Sequence, residues 1–178
     1  ASGLDAAITQ AGKTGDAVVD YLAHGLSIDT GPGAVTFDMA GSKGALLQAS
    51  GALEVDVFGF FHVDGAFAIQ KSSQVVTLAD ASNVTVDLLT LGASNVNAFA
   101  GLNGGTTSAV GLSLTGVEFG LALASQQMAT GSTTPARTWT TLQASAQSAT
   151  FAGITDLTLS AGALNVAINL ASAANDDV

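Results

Sequence analysis

The chain has 178 residues, of which 48% are hydrophobic and only 10% are charged, with 14 acidic side chains against four basic ones. A formal net charge of −10 argues against a phosphate-binding surface, which needs clustered Lys and Arg, so we expect no nucleic-acid partner. The lack of cysteine excludes disulfides and thiolate metal sites, and because polar residues interrupt every apolar run, we expect no membrane-spanning segment.

The first residues carry the signals of a helix start. Ser2 is a candidate N-cap, Asp5 follows three residues later, and Gly12 is a candidate stop. These signals predict a short N-terminal helix over residues 3–10. Residues 16–26 are ambiguous between a strand and a further helical turn.

An alternation of period two is the strongest pattern and runs from residue 45 to residue 69. The odd positions are all apolar or Gly, whereas the even positions include several polar residues: Gln48, Glu54, Asp56, His62 and Asp64. Such alternation is typical of strands with one dry face and one wet face. Because the run is too long for one ordinary strand, we expect two or three strands, divided at Gly51, Gly59 or Gly65.

The alternation returns further along the chain. It is clear at residues 117–123 and 164–170, and weaker strands are predicted at residues 34–40, 74–79, 84–91, 96–102, 110–114, 138–144 and 156–160. Turn-forming Gly, Ser and Asn residues lie between these segments. About a dozen short strands at close spacing argue for a sandwich, a barrel or a solenoid and against βαβ units. We predict an all-β fold with at most a short N-terminal helix and an elongated repeat architecture, either a β-solenoid or a stacked β-sandwich or sheet.

One tetrapeptide, Leu-Gln-Ala-Ser, occurs twice. It stands at residues 47–50 and 142–145, and each copy follows a Val-x-Phe, at residues 35–37 and 117–119. We interpret residues 1–178 as one β-rich repeat unit. A degenerate internal duplication of about residues 33–80 and 115–172, with residues 126–137 as a loop inserted in the second copy, is a hypothesis. The alternative is a chance echo in a chain of low complexity.

Four segments of the chain resemble the repeat units of very large bacterial secreted or cell-surface proteins. These segments are residues 46–72, 84–105, 111–125 and 137–172, and the resemblance as a whole covers about residues 16–172. It implies an extracellular or cell-surface location and an adhesive or matrix role. It carries over no catalytic residues.

Two segments contain residue types that enzymes use. His24, Ser27 and Asp29 are those of a nucleophilic triad, but they stand within six residues and lack a G-x-S-x-G elbow. The glycine-rich residues 101–105 are not followed by Lys and Ser or Thr, and we interpret them as a turn. We therefore predict no catalytic residue and no enzymatic activity.

Three features could bind a ligand. Arg137 and Trp139 could form a cation–π pair or a sugar-stacking platform, although a lone Trp on a strand is more often packing. If residues 58–60 were a hairpin turn, Asp56 would face His62 and Glu54 would face Asp64, a group of side chains that suits calcium.

Against the calcium site, Phe58 and Phe60 are poor turn residues, and a solvated acidic face with Glu54 and Asp64 well apart is the simpler interpretation. The Asp176–Asp177 pair is a further cation candidate, or a solvated linker. We assign no metal, cofactor-binding or catalytic residue and no cofactor, with calcium as the one candidate.

The sequence thus predicts a non-enzymatic, extracellular structural or adhesive repeat protein. Its units would stack into a fibre, stalk or surface layer. The expected partners are adjacent copies of the same unit, with cell-surface glycans as a second candidate. The alternative is a carbohydrate- or receptor-binding β-module, including a viral tail-fibre domain.

Overall fold

The computed structural model describes residues 4–11, 17–154 and 159–172. Within these ranges the chain forms nine strands: β1 (Asp5–Thr9), β2 (Leu26–Asp29), β3 (Ala34–Phe37), β4 (Leu46–Val57), β5 (Phe61–Thr77), β6 (Asn83–Leu102), β7 (Val110–Gln126), β8 (Thr138–Ala152) and β9 (Leu159–Ser172). One 3-10 turn, Gly41–Lys43, is the only helical element in these ranges. The all-β prediction is confirmed, and no helix in the described part of the chain is long and apolar enough to cross a bilayer.

Seven strands form one antiparallel sheet in the order β1-β4-β5-β6-β7-β8-β9, and β2 pairs with β3 in a separate hairpin. From β4 onward, strands that follow one another in the chain also pair in the sheet. Short connections suffice for such a meander, because antiparallel neighbours begin where the previous strand ends.

The predicted N-terminal helix over residues 3–10 is wrong. Asp5–Thr9 is β1, which pairs with the first half of β4 and places Ile8 opposite Leu47. The cap and stop signals are local, whereas the β4 partner lies about 40 residues away and satisfies the backbone of β1 in a way that no local signal reveals.

The strands are fewer and longer than predicted. The predicted segments 84–91 and 96–102 join in β6, and segments 110–114 and 117–123 join in β7. Between the joined segments the pairing shifts register but does not end. Asn95 and Gly116 have φ angles of 51° and 57° there, as expected of β-bulges. Of the predicted strand 156–160, residues 156–158 lie outside the described residues, and residues 159–160 begin β9.

The sheet stands as a single layer. Elements with extensive contacts are neighbours within a sheet, apart from the 3-10 turn, which touches β5. Only six hydrophobic residues of the described chain are buried: Leu46, Val84, Val86, Ala93, Val96 and Ala146. The protein therefore has little interior, although nearly half of its residues are hydrophobic.

The segment between β1 and β4 is held together by one carboxylate and one aromatic pair. Asp20 accepts hydrogen bonds from the backbone N–H of Gly41 (2.9 Å) and of Leu22 (3.2 Å). The bond from Gly41 is the main cause that lowers the pKa of Asp20 from its usual value. Tyr21 and Phe37 pack edge to face with ring centres 5.3 Å apart, so the β2–β3 hairpin is anchored to the chain that leads into it.

We predict that Gly101→Ala destabilises the protein. Gly101 lies directly opposite Gly111, and a Cβ at Gly101 would overlap the Val110 carbonyl oxygen and lie 2.6 Å from the Gly111 Cα. Since backbone must move to accept the methyl group, the free energy of unfolding should fall by about 1–3 kcal/mol in urea denaturation.

Gly120→Ala on β7 is the matched control, because a Cβ there meets nothing within 4 Å. This variant should be unchanged or more stable by up to about 1 kcal/mol, since alanine narrows the unfolded ensemble. Equal losses in the two variants would show that close strand approach at Gly101 is not the cause.

Candidate functional site

In the middle of the sheet, the register sorts the side chains into two faces of opposite character, whereas the buried Leu46, Val84 and Val86 form an apolar region at one end of the second face. Directly paired residues share a face, and successive residues on one strand alternate between faces. One row across the middle of all seven strands is entirely apolar: Ala6, Ala49, Ile69, Leu91, Leu121, Leu142 and Ile168. The row beside it, on the other face, is mostly polar: Ala7, Gln48, Gln70, Thr90, Ala122, Thr141 and Asn169.

We call the side of the first row the apolar face and the side of the second row the polar face. Every large hydrophobic side chain of the seven strands that is strongly exposed lies on the apolar face: Ile8, Leu47, Leu53, Val55, Val57, Phe61, Ile69, Val75, Leu102, Leu112, Leu123, Leu159, Leu164, Val166, Ile168 and Leu170. A soluble monomer rarely exposes a continuous apolar patch of this extent, and such patches mark interaction surfaces.

The charged residues of the sheet are divided as unequally as the hydrophobic ones. Only Lys71 and Asp87 lie on the apolar face, on neighbouring strands and with opposite signs. The other charged side chains of the seven strands lie on the polar face: Asp5, Glu54, Asp56, Asp64 and Glu118, with His62 among them. The apolar face is thus nearly neutral, and the polar face carries the negative charge.

The total accessible surface shows how much of the sheet is uncovered. The chain of 17.5 kDa exposes 12069 Å², whereas a compact folded protein of this mass exposes about 7,900 Å². The strongly exposed hydrophobic side chains of the apolar face are not covered by any described element. The excess surface follows from the single layer, and the apolar face is the candidate functional site.

On the polar face, residues 58–60 form a hairpin turn, the condition on which the calcium candidate depends. Asp56 pairs with His62 and Glu54 with Asp64, so the expectation that Glu54 and Asp64 lie well apart is wrong. Phe58 and Gly59 have φ angles of 51° and 70°. Positive φ at both central residues suits the right-handed twist of a hairpin, which explains how a Phe-Gly pair can turn the chain here.

His62 lies between two carboxylates in this hairpin. Its Nε2 is 3.2 Å from Oδ1 of Asp64, and its Nδ1 is 3.6 Å from Oδ2 of Asp56. The side-chain amide of Asn97 donates to Oδ2 of Asp64 at 3.1 Å, a partner that the sequence pattern did not indicate. These bonds offset the repulsion between the directly opposed Glu54 and Asp64. In the described chain, no group of three or more carboxylate or imidazole side chains converges as metal ligands would.

The other candidate residues have local partners. Ser27 pairs with Thr36 in the β2–β3 hairpin, and the Asp29 carboxylate accepts the Gly31 N–H at 2.8 Å. No hydrogen bond among the described residues joins His24 to either of them. The glycine-rich residues 101–105 end β6 and begin a turn, where the Gly104 N–H donates to the Gly59 carbonyl at 2.8 Å, so the turn prediction is confirmed. Asp176 and Asp177 lie outside the described residues.

Arg137 and Trp139 form a cation–π pair, one of the two arrangements considered for them, with the guanidinium carbon 5.3 Å from the ring centre. The Arg137 Nε also donates to the Gln126 side chain at 3.0 Å, and the Gln126 N–H donates to the Arg137 carbonyl. The pair thereby closes the loop of residues 127–137 at its base. Both residues line an open cleft of about 770 Å³ together with Asp80, Thr141 and Asn169.

The repeated motifs lie in unlike places. The two Leu-Gln-Ala-Ser copies lie on β4 and β8 of the large sheet. The first Val-x-Phe lies on β3 of the small hairpin and the second in the middle of β7. The internal duplication stays a prediction.

No family model, curated protein or solved structure matches this chain.

We predict that Phe58→Asn stabilises the β4–β5 hairpin. Phe58 is 92% exposed and has positive φ, a conformation that costs most side chains energy but that asparagine tolerates well. The resulting Asn-Gly pair is the preferred sequence for this turn, so the free energy of unfolding should rise by roughly 0.5–1 kcal/mol. Phe60→Asn is the control, because Phe60 has ordinary φ. A gain in the control that equals the gain at residue 58 would contradict the backbone explanation.

Proposed function

We propose that this protein is a non-enzymatic, extracellular structural or adhesive unit that assembles with further copies by stacking sheets through the apolar face. The uncovered apolar face carries this proposal. Each Å² of apolar surface left in water forgoes about 25 cal/mol of stabilisation, which gives two such faces a strong tendency to associate.

The chemistry of the face favours a second copy as the covering layer. Two sheets pack when both present apolar inner faces, about 10 Å apart, and a second copy supplies such a face by definition. In a two-fold arrangement, Lys71 of one copy can lie against Asp87 of the other, so the only two charges on the face are self-complementary. A strongly acidic or basic partner would find only one opposite charge there, beside one like charge.

The exposed area fits a stable assembly. Each copy exposes on the order of 4,000 Å² more than a compact protein of its mass, and obligate homodimers bury roughly 2,000–5,000 Å² in total, half of it on each copy. Stacking through one face therefore removes only part of the excess surface of each copy, and the area available is more than a stable dimer needs.

The antiparallel meander supports stacked sheets over a β-solenoid as the repeat architecture, because solenoid coils place strands of successive turns side by side in parallel. The extracellular location and the fibre, stalk or surface layer rest on the composition and on the resemblance to large bacterial surface proteins.

A carbohydrate- or receptor-binding module is the second candidate function. Its support is the cleft at Trp139, which combines one aromatic ring with the polar side chains of Asp80, Thr141 and Asn169. Arg137 already contacts the indole ring, which leaves less of it for a sugar. Binding on a glycan array that is lost in Trp139→Ala would favour this function.

The stacking proposal is tested with Ile69→Asp/Leu123→Asp. Both residues are exposed on the apolar face, at 38% and 37%. Charges buried between two sheets without partners are costly, so self-association measured by analytical ultracentrifugation should weaken at least about 100-fold.

Gln70→Asp/Ala124→Asp is the matched control. These residues are the next ones along the same strands, lie on the polar face, and add the same charge. The control should associate like the wild type. A wild-type protein that stays monomeric at every accessible concentration, or equal weakening in both variants, would overturn the proposal.

A further inference from the structure

We infer that β9 is a strand-pairing edge that binds β9 of a second copy in antiparallel register and joins two sheets into one. The inference rests on the proposed function, because it names the edge by which the stacked units also grow sideways. Edge pairing would use backbone hydrogen bonds along β9, whereas stacking would use contacts between side chains of the apolar face.

Residues 164–172 of β9 lack the usual protection of a sheet edge. All 14 residues of β9 are exposed, and the strand contains neither a charged residue nor a proline. No described strand pairs with its outer side. Proteins that avoid edge association place lysines, prolines or other charges on such strands, and a long, flat, apolar edge without them pairs readily.

The opposite edge of the sheet is protected. β1 has only five residues and covers β4 from Leu46 to Ser50. The rest of β4 continues without an outer partner among the described strands, and it carries Glu54 and Asp56. This edge is therefore stepped and negatively charged. If β9 of one copy paired with this opposite edge of another, a long apolar strand would lie beside the short β1 and the charged part of β4.

A two-fold union of β9 with itself has matching chemistry along its length. A two-fold axis perpendicular to the sheet keeps the faces together, so Leu164, Val166 and Ile168 of both copies lie on one side. The apolar face then continues across both sheets. On the other side, Asn165 and Asn169 of the two copies lie among small side chains, where their amides can pair across the strands.

The geometry restricts the pairing to the regular part of the strand. Ala163 has a φ angle of 50°, and the β8–β9 pairing is interrupted between Ala146 and Ser148. Residues 164–172 pair with β8 without interruption beyond this point. Directly paired residues share a face, so a residue of one copy cannot pair with the next residue of the other copy. The two-fold axis must therefore lie beside one residue of this stretch, and that residue lies directly opposite the same residue of the second copy.

A single-cysteine scan of residues 164–172 tests the inference, because the natural chain has no cysteine. Directly opposed residues in antiparallel strands have Cα atoms about 4.5–5.5 Å apart, within the range that a disulfide bridges. For the next residue along the strand, the Cα atoms of the two copies lie about 8 Å apart, which is too far for a disulfide. Under mild oxidation, dimer yield should therefore peak at one residue and fall several-fold at both of its neighbours.

Single cysteines at residues 51–57 of β4 are the control and should give no self-linked dimer above background. Uniform linking along β9 at the level of this control, or efficient linking only when β9 and β4 variants are mixed, would overturn the inference. The scan is repeated in the Ile69→Asp/Leu123→Asp background, where a retained peak supports edge pairing independently of stacking. If the wild-type background gives no peak along β9 while the protein still self-associates, the edge-pairing inference is wrong and the stacking proposal stands.

Discussion

The structure depends on one constraint, which is that a sheet with an apolar face must cover that face with something. Alternation of apolar and polar residues gives each strand two unlike sides, and the register keeps the sides aligned from β1 to β9. In most domains a helix or a second sheet of the same chain completes the core. Here the described chain supplies neither, so the apolar face and the outer edge of β9 both remain open.

These two openings would give the protein two directions of growth. Stacking through the apolar face would add one second layer, because the outer side of each sheet is polar, and pairing at β9 would widen a layer without changing which face is apolar. In the proposed assembly, the acidic edge at β4 would limit sideways growth to a pair, because a two-fold union would use up the one unprotected edge. The polar face would keep its carboxylates and amides in water, which would maintain the solubility of an assembly with few charges.

Much of the fold could be predicted from the sequence, and the errors have physical causes. The parity of residues 45–69 predicted strands divided at a glycine, and Gly59 lies in the turn between β4 and β5. The opposition of Asp56 and His62 was only a conditional expectation, because Phe58 and Phe60 are poor turn residues and the positive φ of Phe58 is not visible in the pattern. The joining of segments 84–91 and 96–102 could not be predicted, since a bulge at Asn95 breaks the parity while the pairing continues. β1 was missed because its partner is remote in sequence. Asn97 reaches Asp64 only through the β5–β6 register, and the apolar row across seven strands likewise becomes visible only once all registers are known.

The central claim is that the apolar face is buried against a second copy in solution. Methyl NMR with a soluble paramagnetic probe measures this directly, because the probe broadens only methyl groups that it can approach. We predict that the methyl groups of Ile69, Leu91 and Leu121 are protected in the wild type, and that those of Leu91 and Leu121 become accessible in the Ile69→Asp/Leu123→Asp variant. Strong broadening of these methyl groups in the concentrated wild-type protein, with a mass of one chain, would contradict it.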